Sequence, residues 1–248
     1  MTDPDLSFVY LFAPLFLFLF FRNIQKQSPE FDIKNPVSFA ISLVYGMAAL
    51  FSLTFEKTAL SMLFIVYPIM VLAFLKHPIR KLLGTKANSV FIRMMVNFVL
   101  LIFMETFVSI DEYGRIEPSH YLFFIGFYLG LVISIEIIFM KWKWLPRQVF
   151  ILGGLWGVLI EQNFLVPLML LTLNLIGIIF VAPFIFLTYS FYTLLPFLLF
   201  QDVYFGADPV SGKSFMVSYI VLVLMPLIVW FIVSAIEIGL GLRYPPPA

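Results

Sequence analysis

A small set of charged and amide side chains interrupts the apolar segments of this chain, and their types could support ion or proton chemistry. They are Glu105, Glu161, Gln162, Asn163, Arg93, Asn97, Glu136 and Glu237. A charged side chain at the centre of a membrane helix costs about 2.5–3.5 kcal/mol on insertion scales, so these residues are expected to face protein. Carboxylate and amide oxygens suit protons and hard cations. The set therefore indicates a path for a small cation, a proton or a small solute.

Spacing along the chain supports an inward orientation for several of them. Arg93, Asn97 and Glu105 fall within an arc of about 120° on a helical wheel, which predicts one polar helix face. Gly126, Gly130 and Ser134 recur every four residues, and this stripe of small residues predicts close packing against a neighbouring helix. Gly153 and Gly157 are likewise four residues apart, and another step of four reaches Glu161. Because small residues let helix backbones approach closely, Glu161 is predicted to point into the protein. A side chain close to a helix end can also snorkel towards water, and that structural alternative stays open.

The chain lacks the residues that several other chemistries need. It has no cysteine, its two histidines are placed in loops, and every aspartate lies in a loop or tail. No metal and no cofactor is therefore expected. The stretch ADPVSGKS at 207–214 resembles a phosphate-binding loop only as a string, because apolar segments flank it, so no nucleotide is expected. The net charge of +1 argues against a nucleic-acid partner.

Composition places the chain in a bilayer. With 62% hydrophobic and 12% charged residues, it has too few polar side chains to coat a water-soluble domain. The fold class expected is an all-α polytopic membrane bundle of about eight helices (seven to nine), forming one transmembrane domain over residues 1–248. The predicted spans are 6–21, 36–55, 58–75, 90–110, 121–140, 148–162, 164–186 and 215–241, with a doubtful ninth at 188–200.

Orientation follows from the lysines and arginines, which concentrate on the cytoplasmic side of membrane proteins. They gather in the loops at 22–35, 76–86 and 141–147, so the N-terminus is predicted to lie outside. If 188–200 spans the membrane, the loop at 201–214 is external and the C-terminus is internal; if it does not span, both assignments reverse. The same rule favours spanning. EQN at 161–163 is then interpreted as the outer turn that ends the helix at 148–162.

This topology groups the polar residues at two depths. The predicted outer cluster is Glu105, Glu161, Gln162 and Asn163, and the predicted inner cluster is Arg93, Asn97, Glu136 and Glu237. Arg93 and Lys141 are the cations available to pair with the inner carboxylates.

Three classes of function fit these residues. The first is a channel or carrier that uses the intramembrane glutamates. The second is an accessory or scaffold subunit of a larger membrane complex, with other membrane subunits as partners beside the lipid bilayer. The third is an intramembrane enzyme acting on a lipid or isoprenoid, with Glu161 as general acid or base, although no second catalytic group is evident.

Overall fold

The regular elements of the structure, a computed structural model, are all helical where it describes the chain, namely Arg22 and residues 75–113, 116–206 and 208–242. They are α1 (Lys76–Leu83), a 3₁₀ segment (Gly84–Asn88), α2 (Val90–Tyr113), α3 (Pro118–Trp142), α4 (Pro146–Leu171), α5 (Leu175–Leu199), α6 (Gln201–Tyr204) and α7 (Gly212–Gly239). The predicted spans 6–21 and 36–55, and 58–75 except its last residue, lie outside the described residues.

The chain divides into two compact units. The first is Met1–Lys76 with Leu145–Leu198, and its described part is essentially the hairpin of α4 and α5. The second is His77–Trp144 with Leu199–Ala248, and it contains α2, α3, α6, α7 and most of α1.

In the second unit α3 and α7 pack closely in antiparallel directions along a stripe of small residues. A Cβ atom added to Gly130 would lie 2.6 Å from the Cα of Pro226, and one added to Gly126 would lie 2.8 Å from the Cβ of Val233. Ser134, the next residue of the stripe, donates its hydroxyl to the Gly130 carbonyl at 2.7 Å, so its own polar group is paired within the contact. The predicted role of this stripe in helix packing is confirmed.

The α4–α5 hairpin of the first unit corrects the predicted helix boundaries. The segments 148–162, 164–186 and 188–200 are interpreted from the sequence as three pieces, but the chain forms two long helices, α4 and α5, joined by a turn at 172–174. The polar triplet 161–163 lies inside α4 because polar side chains alone do not end a helix. The turn comes at Leu173, whose φ of 54° is left-handed, and Asn174 lies in that turn.

Because the chain forms two helices where three were predicted, the loop at 201–211 lies at the opposite end from the one predicted. The main-chain N–H of Trp144 donates to the Tyr204 carbonyl at 2.9 Å, and that of Gly206 donates to the Trp144 carbonyl at 3.1 Å. Lys143 donates its ammonium to the Val203 carbonyl at 2.5 Å. The loop at 201–211 therefore lies beside the basic α3–α4 connection, so its preferred placement on the opposite side is wrong.

Two helices in the described part of the chain, Pro118–Trp142 and Gly212–Gly239, are long and apolar enough to cross a membrane by length and composition. They are α3 and α7, whose mean hydropathies over the most apolar window are 2.4 and 2.7. Most of α3 is buried in that window, whereas only 17% of α7 is. One side of α7 packs on α3, and the rest of its apolar surface is exposed.

Candidate functional site

The interface between α2 and α3 carries two hydrogen-bonded pairs with little exposure to solvent, one towards each end. The first joins Arg93, in the first turn of α2, to Glu136, near the end of α3. The Arg93 Nε lies 3.1 Å and 3.2 Å from the two carboxylate oxygens of Glu136, and Nη2 donates to Oε1 as well. Nη1 donates to the carbonyl of Asn88 at 2.7 Å and to that of Ala87 at 3.3 Å. All three guanidinium nitrogens of this fully buried arginine are therefore hydrogen-bonded.

Tyr204 of α6 completes this first site. Its hydroxyl donates to Glu136 Oε2 at 2.5 Å, and its ring centroid lies 5.5 Å from the Arg93 guanidinium carbon. The ring packs edge-on against Phe139 and Phe200, with centroid distances of 5.3 and 6.1 Å. Burial raises the pKa of the Tyr204 hydroxyl, and the hydrogen bond to Glu136 raises it further. Tyr204 is therefore a neutral donor to the carboxylate over the physiological range.

We call Arg93, Glu136 and Tyr204 the basic-end clamp. Its carboxylate receives hydrogen bonds from the guanidinium and the phenol, and its two charges cancel, so it holds α2, α3 and α6 together. Glu136 already has strong donors at both oxygens, which makes it a poor ligand for a passing cation. Tyr204 is not among the residues predicted from the sequence, because the preferred topology separates the loop at 201–214 from the basic α3–α4 connection.

The second pair lies towards the opposite end of the same two helices. His120 Nε2 is hydrogen-bonded to Glu105 Oε1, and the two side chains are only 4% and 12% exposed. The imidazole packs on Phe124, with ring centroids 4.9 Å apart. Sequence analysis places His120 in a loop, but it lies in the first turn of α3 and faces α2. The pair therefore brings an imidazole nitrogen and a carboxylate oxygen from two helices into direct hydrogen-bond contact.

Asn97 lies between the two pairs, one turn after Arg93. It is completely buried, and neither its Oδ1 nor its Nδ2 atom has a hydrogen-bond partner within the described part of the chain. Unpaired buried amide groups are rare in folded proteins, so this side chain requires a physical explanation.

Glu237 does not join the predicted inner cluster. The carbonyl of Val221 on α7 lies 3.5 Å from the hydroxyl of Ser134, two residues before Glu136. Glu237 follows Val221 by sixteen residues, which is about 24 Å along a helix. The antiparallel register therefore carries the buried Glu237 to the end of α3 at which His120 lies. The sequence groups Glu237 with Glu136 only if 188–200 is a separate span, and the structure instead joins that segment into α5.

Two further predicted associations have different outcomes. Lys141 is exposed and lies over the ring of Trp142, at 4.7 Å from its centroid, while Arg93 is the cation that pairs with Glu136. Glu161, Gln162 and Asn163 have described main chains within α4, but their side chains lie outside the described residues. Their association with Glu105 stays a prediction.

No protein-family model, curated protein or solved structure matches this chain. The described residues contain no group of three or more histidine, cysteine, aspartate and glutamate side chains that could hold a metal ion. The candidate site in the described part of the chain consists of the two pairs, Asn97 and Glu237.

Proposed function

We propose that this chain is a multi-pass membrane protein that carries protons, or a small solute coupled to protons, along the α2–α3 interface. The observation that supports this most is the hydrogen bond between Glu105 and His120. It joins an acid and a base from opposing helices, and both side chains are shielded from water. Such a pair can take up a proton from one side and pass it on without a large change in structure.

The basic-end clamp favours protons over metal cations in this proposal. A hard cation needs several oxygen ligands at once, and Glu136, at the basic end, is already saturated by Arg93 and Tyr204. The guanidinium charge of Arg93 also repels a cation that approaches without an anion. A proton needs only a chain of hydrogen bonds.

An orientation follows if the basic segments face the cytoplasm. Lys86 precedes α2 and Lys143 follows α3, so both lie at the end that carries the basic-end clamp. The Glu105–His120 pair is then nearer the outer surface. Protons would enter at that pair and leave towards the clamp.

Proton flux into liposomes tests the proposal. Purified protein is reconstituted with a trapped pH-sensitive dye, and a potassium diffusion potential drives protons inwards. We expect Glu105→Gln and His120→Gln to reduce the flux at least tenfold. Glu117→Gln is the matched control, because this carboxylate lies three residues from His120 and accepts a hydrogen bond from Ser119 instead. Equal flux in the parent and in both site variants overturns the proposal.

A second candidate function is an accessory subunit of a membrane complex, and the exposed apolar surface of α7 favours it. Leu224, Ile228 and Phe231 are 50%, 52% and 65% exposed. In a bilayer, lipid or a neighbouring subunit would cover this surface. Purification in mild detergent separates the candidates: a lone, monodisperse protein that still conducts protons argues against the subunit role.

A further inference from the structure

We infer that Asn97 binds a buried water molecule in the interface between α2 and α3. Its side chain is fully buried, and both polar atoms of the amide lack a partner within the described residues. A buried amide left unpaired destabilises the fold, and asparagine presents a donor and an acceptor side by side. A ligand for it must therefore accept from Nδ2 and donate to Oδ1, and water is the smallest molecule that does both.

The surroundings of Asn97 favour a neutral ligand. Arg93 lies one turn away on the same side of α2, about 6 Å along the axis, so its charge opposes a cation. The carboxylate of Glu136, which forms an ion pair with Arg93, likewise disfavours an anion at this position. Counting four residues back from Glu136 on antiparallel α3 reaches Val132, a buried aliphatic residue that offers no side-chain hydrogen bond. A small polar molecule without charge fits this position best.

The place of this water in the proposed proton path rests on the proposed function, whereas the water site itself does not. Asn97 lies eight residues before Glu105, which is about 12 Å along the helix. Leu100 and Leu101, both buried, occupy the turn between them. The water would connect to the basic-end clamp, and protons from the Glu105–His120 pair would have to cross the apolar turn at Leu101. Such an apolar constriction conducts only when it is transiently hydrated.

The water site is tested first in the parent protein, so that no variant has to fold. With selectively ¹⁵N-labelled asparagine, we expect the side-chain N–H₂ signals of Asn97 to show a cross-relaxation peak to water; Asn97→Asp assigns them by their loss. Asn97→Leu, which has nearly the same shape, then tests the energetics. Removing a hydrated amide should lower the Tm by about 2–8 °C, whereas removing an unpaired amide leaves the Tm unchanged or raises it. No water peak together with an unchanged or raised Tm overturns the site.

The relay role has its own readout in the liposome assay. We expect Asn97→Leu to reduce proton flux at least tenfold, and Leu101→Ala to increase it severalfold because a smaller side chain admits water more readily. A water peak with parent-like flux in Asn97→Leu keeps the water site and overturns the relay. Loss of flux in Glu105→Gln but not in Asn97→Leu has the same meaning and leaves the proposed function intact. If the parent itself carries no protons, the proposed function and the relay fail while the nuclear magnetic resonance result still decides the water site.

Discussion

Arg93 and Glu136 are forty-three residues apart in the chain and form a buried, two-oxygen ion pair between antiparallel helices. Tyr204, a further sixty-eight residues along, hydrogen-bonds to the same carboxylate at 2.5 Å. Three distant segments are therefore held by one carboxylate. Burying the two charges costs desolvation energy, but removing only one of them costs more, because the other is left buried without a partner. This difference between single and double removal can be measured.

Removing one member of the Arg93–Glu136 pair should be strongly destabilising. We expect Arg93→Met or Glu136→Leu to lower the free energy of unfolding by about 3–5 kcal/mol, because the remaining charge is left buried and unpaired. The double variant should lose far less than the sum of the two, since neither charge remains. Equilibrium unfolding in mixed detergent micelles gives the four values of the double-mutant cycle. Additivity within about 0.5 kcal/mol would show that the two residues are not coupled.

Tyr204→Phe should lower the free energy of unfolding by about 1.5–3 kcal/mol, the range for a hydrogen bond to a charged group. Tyr219→Phe is the matched control: its hydroxyl is also buried but has no hydrogen-bond partner within the described residues. We expect that substitution to be neutral or slightly stabilising. Equal losses in the two variants would mean that the Tyr204 hydroxyl makes no special contribution.

Tyr204 should also give the protein a characteristic response to alkaline pH. Burial and Glu136 raise its pKa in the folded protein above the value of about 10 for an unfolded tyrosine. The folded state thus holds this proton more tightly, so the stability from Tyr204 is fully present below pH 10 and is lost as the pH rises above it. We expect the Tm of the parent to fall more steeply between about pH 10 and 11.5 than that of Tyr204→Phe. Parallel curves would contradict the raised pKa.

The sequence predicts those features of the fold that depend on residue spacing within one helix. The small-residue stripe at Gly126, Gly130 and Ser134 is local, and its packing against α7 agrees with the prediction. Arg93 was named as a partner for Glu136 because both had to face protein near the same membrane surface, and the structure places them in contact. The four-residue spacing of small side chains is enough to predict the first contact, and the cost of burying a charge is enough to predict the second.

The predictions that fail concern how the helices are connected. There, a local pattern predicts a turn that the folded chain does not form. Glu161 and its two polar neighbours look like a turn, but the helix continues past Pro167, which lacks an N–H and costs α4 one main-chain hydrogen bond without ending it. One misplaced turn changes the number of crossings and reverses the side assigned to everything after it. The placement of Tyr204 and Glu237 that depends on a separate span at 188–200 is therefore wrong, whereas the alternative without that span agrees with the helix boundaries. The sequence predicts His120 to lie in a loop because its apolar run starts at Tyr121, whereas α3 begins earlier, at Pro118.

Gly130→Ala should separate α3 from α7. The added Cβ would lie 2.6 Å from the Cα of Pro226 and 3.0 Å from the Cβ of Val229, and the nearer of these is main chain, which cannot rotate away. We expect a loss of about 1–3 kcal/mol in the free energy of unfolding, the usual cost of overpacking. Gly239→Ala is the matched control on α7, since nothing lies within 4 Å of its added Cβ. A Tm for Gly130→Ala as high as that of the control would contradict the close packing.

Single cysteines provide the most direct test of the topology, because the chain contains no native cysteine to compete for the label. Lys86 and Asp208 are exposed residues at the basic end of the second unit, whereas Ile116 and Leu242, which are 58% and 53% exposed, lie at the opposite ends of α3 and α7. We expect an impermeant maleimide to label cysteines at 116 and 242 on intact cells. Cysteines at 86 and 208 should react only after permeabilisation, since basic segments face the cytoplasm. Labelling of 208 together with 242 on one side would contradict the antiparallel crossing of α7. Labelling of 86 and 208 from outside, with 116 and 242 protected, would keep the fold and reverse the direction in which protons are proposed to enter.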